Sequence, residues 1–136
     1  MKSFAIAIVL LIFGCRGYGQ TSAAYAGCVD NSKTQAELNQ CASDEAARAD
    51  AELKTSYKRL LTQIAGDSLA IAKPEEAERA WRSYRDAYIE AVYPAQDKQV
   101  AYGTEYPMDV NLLRAKLTHE HIAAIAYISN EYRPTK

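Results

Sequence analysis

The sequence has few of the residues and motifs from which enzyme active sites and metal sites are commonly built. It holds two histidines and three cysteines among 136 residues. It contains no glycine-rich phosphate loop, no Gly-x-Ser-x-Gly and no His-Glu-x-x-His. Those motifs mark nucleotide sites, hydrolase nucleophiles and zinc proteases respectively. Their absence weighs against an enzyme, and we predict no catalytic residue and no cofactor.

The two histidines, His119 and His121, stand two positions apart in a helical pattern. Residues two apart on a helix point to different faces, so these side chains are not expected to share a metal ion. We expect them at the surface or at the edge of the core, and we predict no metal site.

A long hydrophobic run occurs once, from Phe4 to Phe13, after the basic residue Lys2. A transmembrane helix needs roughly 20 apolar residues, whereas the hydrophobic region of a signal peptide needs about 7–15. We therefore predict a signal peptide over residues 1–19, cleaved after Gly19, with cleavage after Ala26 as the alternative. The protein would then be exported to the periplasm or the envelope.

Cys15 offers a third outcome for this segment. Gly14-Cys15 after an apolar run is similar to a lipoprotein box, in which the cysteine becomes the lipidated first residue. Phe13 departs from that pattern, because such boxes usually carry a small residue there. Cys15 is therefore either lipidated, giving an outer-membrane lipoprotein, or removed with the signal peptide. A lipid anchor at Cys15 is one of these two alternatives, and no other attachment to a membrane is predicted.

The chain also has no large excess of charge of either sign. Residues 1–19 contain two basic side chains and no acidic one, so the remaining chain has 14 basic and 17 acidic side chains and a net charge of −3. Nucleic-acid binding through phosphate contacts usually requires a basic surface. We therefore predict no nucleic-acid partner.

Cys28 and Cys41 are the two cysteines left after export, where disulfides persist. We predict a disulfide between them, with two free thiols or a metal site as the alternatives. The bond would close a 13-residue loop, which in the chain-entropy model contributes about 3 kcal/mol to stability.

The first long helix is predicted to begin at Thr34. Residues 20–33, rich in Gly, Ser, Asn and Asp, indicate an irregular lead-in. Thr34 with Glu37 forms a capping-box pattern, and Gly66 is a natural stop. Between them apolar residues recur at helical spacing and form one stripe: Leu38, Cys41, Ala46, Ala49, Leu53, Tyr57, Leu60 and Ile64.

Two further helices are predicted. Pro74 fits the first turn of one, which ends before Pro94 and carries the stripe Ala77, Trp81, Tyr84, Tyr88 and Val92. Residues 94–108, with two prolines and Gly103, are predicted to be a loop or irregular. Asp109 caps the last helix, which runs to about Tyr132 and carries Leu113, Leu117, Ile122, Ile125 and Ile128; residues 133–136 are a polar tail.

The expected fold is all-α, a small antiparallel bundle of three to four helices with one disulfide, over residues 34–132. Asp50 lies along the stripe of the first helix and Arg85 lies beside that of the second. A charge on a core-facing stripe usually needs a partner, so we predict that Asp50 and Arg85 meet. The alternative is that each borders the core and reaches water.

Tyrosine is concentrated between residues 84 and 106. Tyrosine is frequent in protein contacts because it combines area with a polar tip, although it also packs at core edges. For the helical tyrosines, core packing is the expected role. For Tyr102 and Tyr106, in the predicted loop with Glu105, contact with a protein partner is equally expected.

The motifs resemble the LprI-type lysozyme-inhibitor family over nearly all of the mature chain. The first half of the resemblance is Thr34 to Cys41 with Ala49-Asp50-Ala51-Glu52-Leu53 and Tyr57. The second half is Ala77 to Trp81, then Tyr84-Arg85-Asp86-Ala87, followed by Gly103-Thr104 and Leu117-Thr118. Members often carry a second cysteine pair, but here that neighbourhood holds Tyr88, Ile89, Asn111 and Leu112.

The resemblance implies an exported, often lipid-anchored helical protein, of which at least one relative inhibits host lysozyme. The leading hypothesis is a binding protein that blocks a muramidase such as a c-type lysozyme, with Tyr102, Glu105 and Tyr106 as contact residues. The alternative is an envelope accessory or immunity-type protein that binds another bacterial protein. A hydrolase is the third hypothesis and would require a cleft of convergent polar groups.

Overall fold

The computed structural model describes residues 21–66 and 68–132, apart from the side chain of Leu69. The predicted signal peptide and Cys15 lie outside the described residues, as does the polar tail. The helices are α1 (Ala23–Asn31), α2 (Gln35–Gln63), α3 (Ser68–Val92), α4 (Lys98–Tyr102) and α5 (Tyr106–Glu131), with a 3-10 turn at Gly103–Glu105. No strand occurs in the described part, and the all-α prediction is confirmed. None of the described helices is long and apolar enough to cross a membrane.

The capping box predicted for α2 is present. Thr34 accepts a hydrogen bond from the Glu37 backbone N–H, and the Glu37 carboxylate accepts from the Thr34 N–H at 2.9 Å and from Lys33 N–H at 2.6 Å. These backbone hydrogen bonds lower the pKa of Glu37. At the other end, Gly66 has a φ of +108°, a conformation that favours glycine and turns the chain toward α3.

α2 and α5 run parallel and form the central pair of the bundle. Gln35 approaches Met108 near the start of both helices, and Glu52 approaches His119 further along. The core then continues toward the ends of both helices: Leu53, Leu60, Ile64 and Ala70 pack with Ile125. α3 runs back between them, because Asp50 meets Arg85 and Glu78 meets His121. The stripes predicted for α2 and α5 therefore face each other.

The lead-in was predicted to be irregular, and this is wrong, because residues 23–31 form α1. The Ser22 hydroxyl caps α1 by accepting a hydrogen bond from the Tyr25 N–H at 3.0 Å. None of the residues of α1 is buried, so the helix leaves no apolar stripe in the sequence. It is tied to α2 by the predicted Cys28–Cys41 disulfide, which is present with a Cα–Cα distance of 5.8 Å.

The stripe predicted for α3 is also wrong over most of its length. Tyr84, Tyr88 and Val92 are 57%, 41% and 44% exposed, whereas Glu78 and Ile89 are buried. The buried face is centred about one residue further along, which on a helix is a rotation of roughly 100°. The helix also begins at Ser68 and contains Pro74, rather than starting at that proline.

The segment predicted as a loop is largely helical. Asp97 caps α4 by accepting a hydrogen bond from Val100 N–H at 3.0 Å, and Gly103 has a φ of +71°, which allows the chain to turn. Pro107 stands in the first turn of α5, where its missing N–H costs nothing. α5 therefore starts four residues earlier than predicted, and Asp109 lies in its first turn instead of capping it.

Candidate functional site

The inner edge of α3 meets α5 through a stacked pair of rings. The Trp81 indole lies on the His121 imidazole with ring centroids 4.0 Å apart and an interplanar angle of 4°. His121 is in turn 2.7 Å, through Nε2, from the Glu78 carboxylate, which is 7% exposed. Glu78 also accepts from Arg82 Nε at 3.0 Å, so the buried carboxylate is well satisfied.

Arg85 completes this group, which we call the Trp81 cluster (Glu78, Trp81, Arg85, His121 and Asp50). Its guanidinium lies 5.0 Å from the centroid of the Trp81 ring, a cation–π contact. Arg85 Nη1 is 3.3 Å from Asp50 Oδ1, so the structure brings together the two charges that the sequence predicts to meet. Arg85 Nε also donates to Asp86 at 3.1 Å. Every polar group named here has a partner. This is typical of a cluster with a structural role, which here holds α3 against α2 and α5.

The second aromatic group is the tyrosine cluster, Tyr93, Tyr102 and Tyr106. Tyr93 makes edge contacts with the other two rings at 5.2 and 5.3 Å, and those two stack at 5.8 Å. The Tyr102 hydroxyl accepts a hydrogen bond from the Ala95 N–H at 3.1 Å. Burial, followed by the nearby charge of Asp109, raises the pKa of Tyr93. The cluster ties the end of α3 to α4 and α5.

The structure places the three predicted contact residues at this end of the bundle. Tyr102 and Tyr106 are half-buried in the tyrosine cluster, whereas Glu105 is exposed. Beside them Val100, on α4, is 83% exposed. The exposed surface here therefore consists of the outer edges of two tyrosines together with Val100 and Glu105.

Lys98 holds this end in place. Its ammonium donates to the Glu90 carboxylate at 2.7 Å and to the Tyr93 carbonyl. The hydrogen bond with Glu90 raises the pKa of Lys98, which keeps the side chain charged. Residues 90–109 carry four acidic side chains, at 90, 97, 105 and 109, and Lys98 is the single basic one. This end of the bundle is thus locally acidic.

Sequence reasoning missed a buried carboxylate beneath α1. Glu45 is 1% exposed and accepts hydrogen bonds from the Ser22 N–H at 2.7 Å and the Ser22 hydroxyl at 2.5 Å. Arg48 Nη2 donates to it at 2.8 Å. The position was open to prediction, because Glu45 lies four residues after Cys41 and four before Ala49, on the buried row of α2.

Replacement of Glu45 by glutamine is expected to destabilise the protein in a pH-dependent way. Burial raises the pKa of Glu45, but hydrogen bonds from Ser22 and Arg48 outweigh it, so the net pKa is lowered. A lowered pKa contributes stability above the unfolded value of about 4.5, and that stability is lost as the pH falls through the folded value. In urea titrations we expect a loss of about 1–3 kcal/mol at pH 7 that shrinks in acid. An equal loss at pH 7 and pH 3 would contradict this role.

The described residues include no group of three or more His, Cys, Asp or Glu side chains that could hold a metal ion. His119 lies 3.7 Å from Glu52, on a different face of α5 from the Trp81 cluster. Open depressions of the described residues include one between α2 and Ile122 of α5 and one beside the disulfide.

Residues 28–125 match a family model described as "Lysozyme inhibitor LprI". The match runs from the first disulfide cysteine to a core residue of α5 and covers more than half of the chain. No curated protein and no solved structure matches the chain.

Proposed function

The chain belongs to the lysozyme-inhibitor LprI family, and from that premise we propose that it is an exported protein that blocks a lysozyme-like muramidase by direct contact. The family is one of inhibitors, so the chain would act by binding and not by catalysis. A protein partner, such as a c-type lysozyme, follows from the same premise.

The end of the bundle formed by residues 94–106 is the surface that we propose for this contact. The observation that carries the proposal is an exposed apolar side chain on an anchored helix. Val100 is 83% exposed on α4, and hydrogen bonds of Asp97, Lys98 and Tyr102 anchor that helix. A segment held in one conformation loses little entropy on binding. Tyr102, Glu105 and Tyr106 remain the proposed contact residues.

Charge supports the same surface. Lysozymes are typically basic, and residues 90–109 carry four acidic side chains against one basic. The net charge of the whole mature chain is too small to steer association strongly, but a local acidic end would steer a basic partner to this surface. Binding should then weaken as the salt concentration rises.

The test is inhibition of a c-type lysozyme by the purified, oxidised protein, followed by the clearing of a cell-wall suspension. Glu105→Lys is the informative variant, because Glu105 is exposed and makes no ion pair among the described residues. We expect it to raise the inhibition constant by about tenfold at low salt, and Val100→Asp to raise it further.

Glu120→Lys is the matched control, since it reverses an exposed charge on α5 away from residues 94–106. Equal effects of Glu105→Lys and Glu120→Lys would argue for general charge attraction and against this surface. An absence of inhibition at micromolar excess, with the protein folded, would instead favour another envelope protein as the partner.

Export also leads to a prediction about processing. Cleavage after Ala26 would remove Ser22 and the first turn of α1, leaving the buried Glu45 carboxylate without two of its hydrogen bonds. We therefore expect the exported protein to begin at Gln20, or at a lipidated Cys15, and to retain Ser22. Intact-mass measurement of protein recovered from the envelope checks this, and a mass beginning at Gly27 would disprove it.

A further inference from the structure

The 3-10 turn that carries Glu105 is tied to α2 by an amide side chain. Asn39 Nδ2 donates a hydrogen bond to the Thr104 carbonyl at 3.0 Å, although the two residues are 65 positions apart in the sequence. That carbonyl belongs to the peptide unit that joins Thr104 to Glu105, and a peptide unit is planar. The hydrogen bond therefore fixes the orientation of the peptide from which the Glu105 side chain projects.

Gln35, one turn earlier in α2, orients the Asn39 amide. Gln35 Nε2 donates a hydrogen bond to Asn39 Oδ1 at 2.8 Å. A backbone carbonyl oxygen only accepts hydrogen bonds, so Asn39 must present its nitrogen to Thr104 and its oxygen to Gln35. The two side-chain amides thus form one chain of hydrogen bonds that runs from the start of α2 to the turn.

The turn gains from such support because it is short and exposed. It begins at Gly103, which has a φ of +71°, and glycine is the residue with the widest conformational freedom. Within the turn the Tyr106 N–H donates to the Gly103 carbonyl, whereas Thr104 and Glu105 are exposed. Lys98 anchors the preceding α4 to α3. The amide chain supplies the corresponding anchor on the side of α2.

We propose that Gln35 and Asn39 are positioning residues for the contact surface at Glu105 and Tyr106, and that binding of a muramidase depends on them without their touching it. The inference rests on the function proposed above. A turn that is already held in its bound conformation loses less entropy on binding. Weakening its anchor should therefore lower the affinity for the muramidase.

Asn39→Asp is the decisive variant, since it keeps the size and the acceptor of the side chain but replaces its donor by a carboxylate oxygen. The measurement is hydrogen exchange of the Tyr106 amide by NMR in the purified, oxidised protein. We expect this amide to exchange about fivefold faster in the variant, the effect of losing one hydrogen bond. The midpoint of urea unfolding should stay nearly unchanged, because the bond lies at the surface.

Inhibition is a second readout, in which charge and positioning have opposite effects. Asn39→Asp adds a negative charge beside an acidic surface, so attraction of a basic muramidase alone would lower the inhibition constant. Loss of positioning should instead raise it, by about threefold. Gln40→Glu is the matched control, because it makes the same change from amide to carboxylate at the next residue, whose amide donates to Asp44 within α2. It should leave exchange of the Tyr106 amide unchanged.

Gln35→Ala tests whether the two amides act as a unit. It should speed exchange of the Tyr106 amide by about twofold in the wild-type protein and have no further effect in an Asn39→Ala background. An equally large effect in both backgrounds would show that Gln35 does not act through Asn39 and would overturn the proposed pair.

Three further results would overturn the proposal: unchanged exchange of the Tyr106 amide in Asn39→Asp, equal effects of Asn39→Asp and Gln40→Glu, or a lower inhibition constant for Asn39→Asp. The exchange measurement requires no muramidase. If the wild-type protein fails to inhibit while Asn39→Asp still speeds exchange, the proposed function fails and the anchoring of the turn by Asn39 stands. The two failures are thus distinguishable.

Discussion

Replacement of both Cys28 and Cys41 by alanine is expected to lower the free energy of unfolding by about 3 kcal/mol, a large part of the roughly 5–15 kcal/mol of a typical domain. The bond closes a loop of 13 residues between α1 and α2. α1 has no buried residue, and besides the disulfide the hydrogen bonds between Ser22 and Glu45 tie its start to α2. Alanine is the suitable replacement at Cys41, because that side chain is 1% exposed and a serine hydroxyl would be buried there.

The loss of stability should affect α1 before it affects the rest of the domain. Hydrogen exchange is the measurement, because it reports opening free energies residue by residue. We expect the amides of residues 23–31 to exchange rapidly in the double variant, while those of α2 and α5 stay protected. Wild-type protein treated with a thiol reductant should reproduce the pattern. Unchanged protection of α1 would show that Ser22 and Glu45 alone hold it.

α1 is a helix that the hydrophobic pattern of the sequence does not predict. Hydrophobic periodicity predicts helices that bury an apolar face, and α2 was predicted well because it has both a capping box and such a face. α1 is stabilised by a cap, a disulfide and a carboxylate, none of which repeats every 3.6 residues. Its cap residue, Ser22, was the one local signal available.

α3 shows the opposite difficulty, since its hydrophobic pattern is misleading. Its outer face carries tyrosine, valine and alanine, whereas its inner face carries Glu78 and Arg85. The polar inner residues are accommodated by specific partners, His121 for Glu78 and Asp50 for Arg85. The Asp50–Arg85 pair was predicted correctly, although the apolar stripe beside Arg85 faces outward and the Asp50 side chain is 50% exposed. The Glu78–His121 pair was not predicted, because the sequence pattern places Glu78 outside the apolar stripe of α3.

The family motif can now be understood in physical terms. From its second half, Trp81 stacks on His121 of α5 and Arg85 lies over the Trp81 ring, while Tyr84 from the same motif is exposed. Leu117 and Thr118 are buried on α5. Near the second cysteine pair of many members, this chain uses the tyrosine cluster and Lys98 to hold α4 against α3 and α5. The proposed contact surface therefore does not need that disulfide for its order.

Trp81→Ala is expected to destabilise the protein by about 3 kcal/mol, whereas Tyr84→Ala, three residues further along the same helix, should change stability by less than about 0.5 kcal/mol. Trp81 packs against the core, stacks on His121 and lies under Arg85, so its removal leaves a cavity and loosens the partners of Glu78. Tyr84 is 57% exposed, and among the described residues its ring contact is with Tyr88. Trp81→Phe should fall between the two, because a smaller ring keeps part of the stack.

Urea unfolding followed by far-UV circular dichroism measures all three variants, since Trp81 is the single tryptophan and its removal abolishes the fluorescence signal. If Tyr84→Ala costs as much as Trp81→Ala, then Tyr84 faces the core as the sequence pattern predicts, and the orientation of α3 is wrong. A large cost for Trp81→Ala alone would establish that the polar face of α3 is the one that holds it to the bundle.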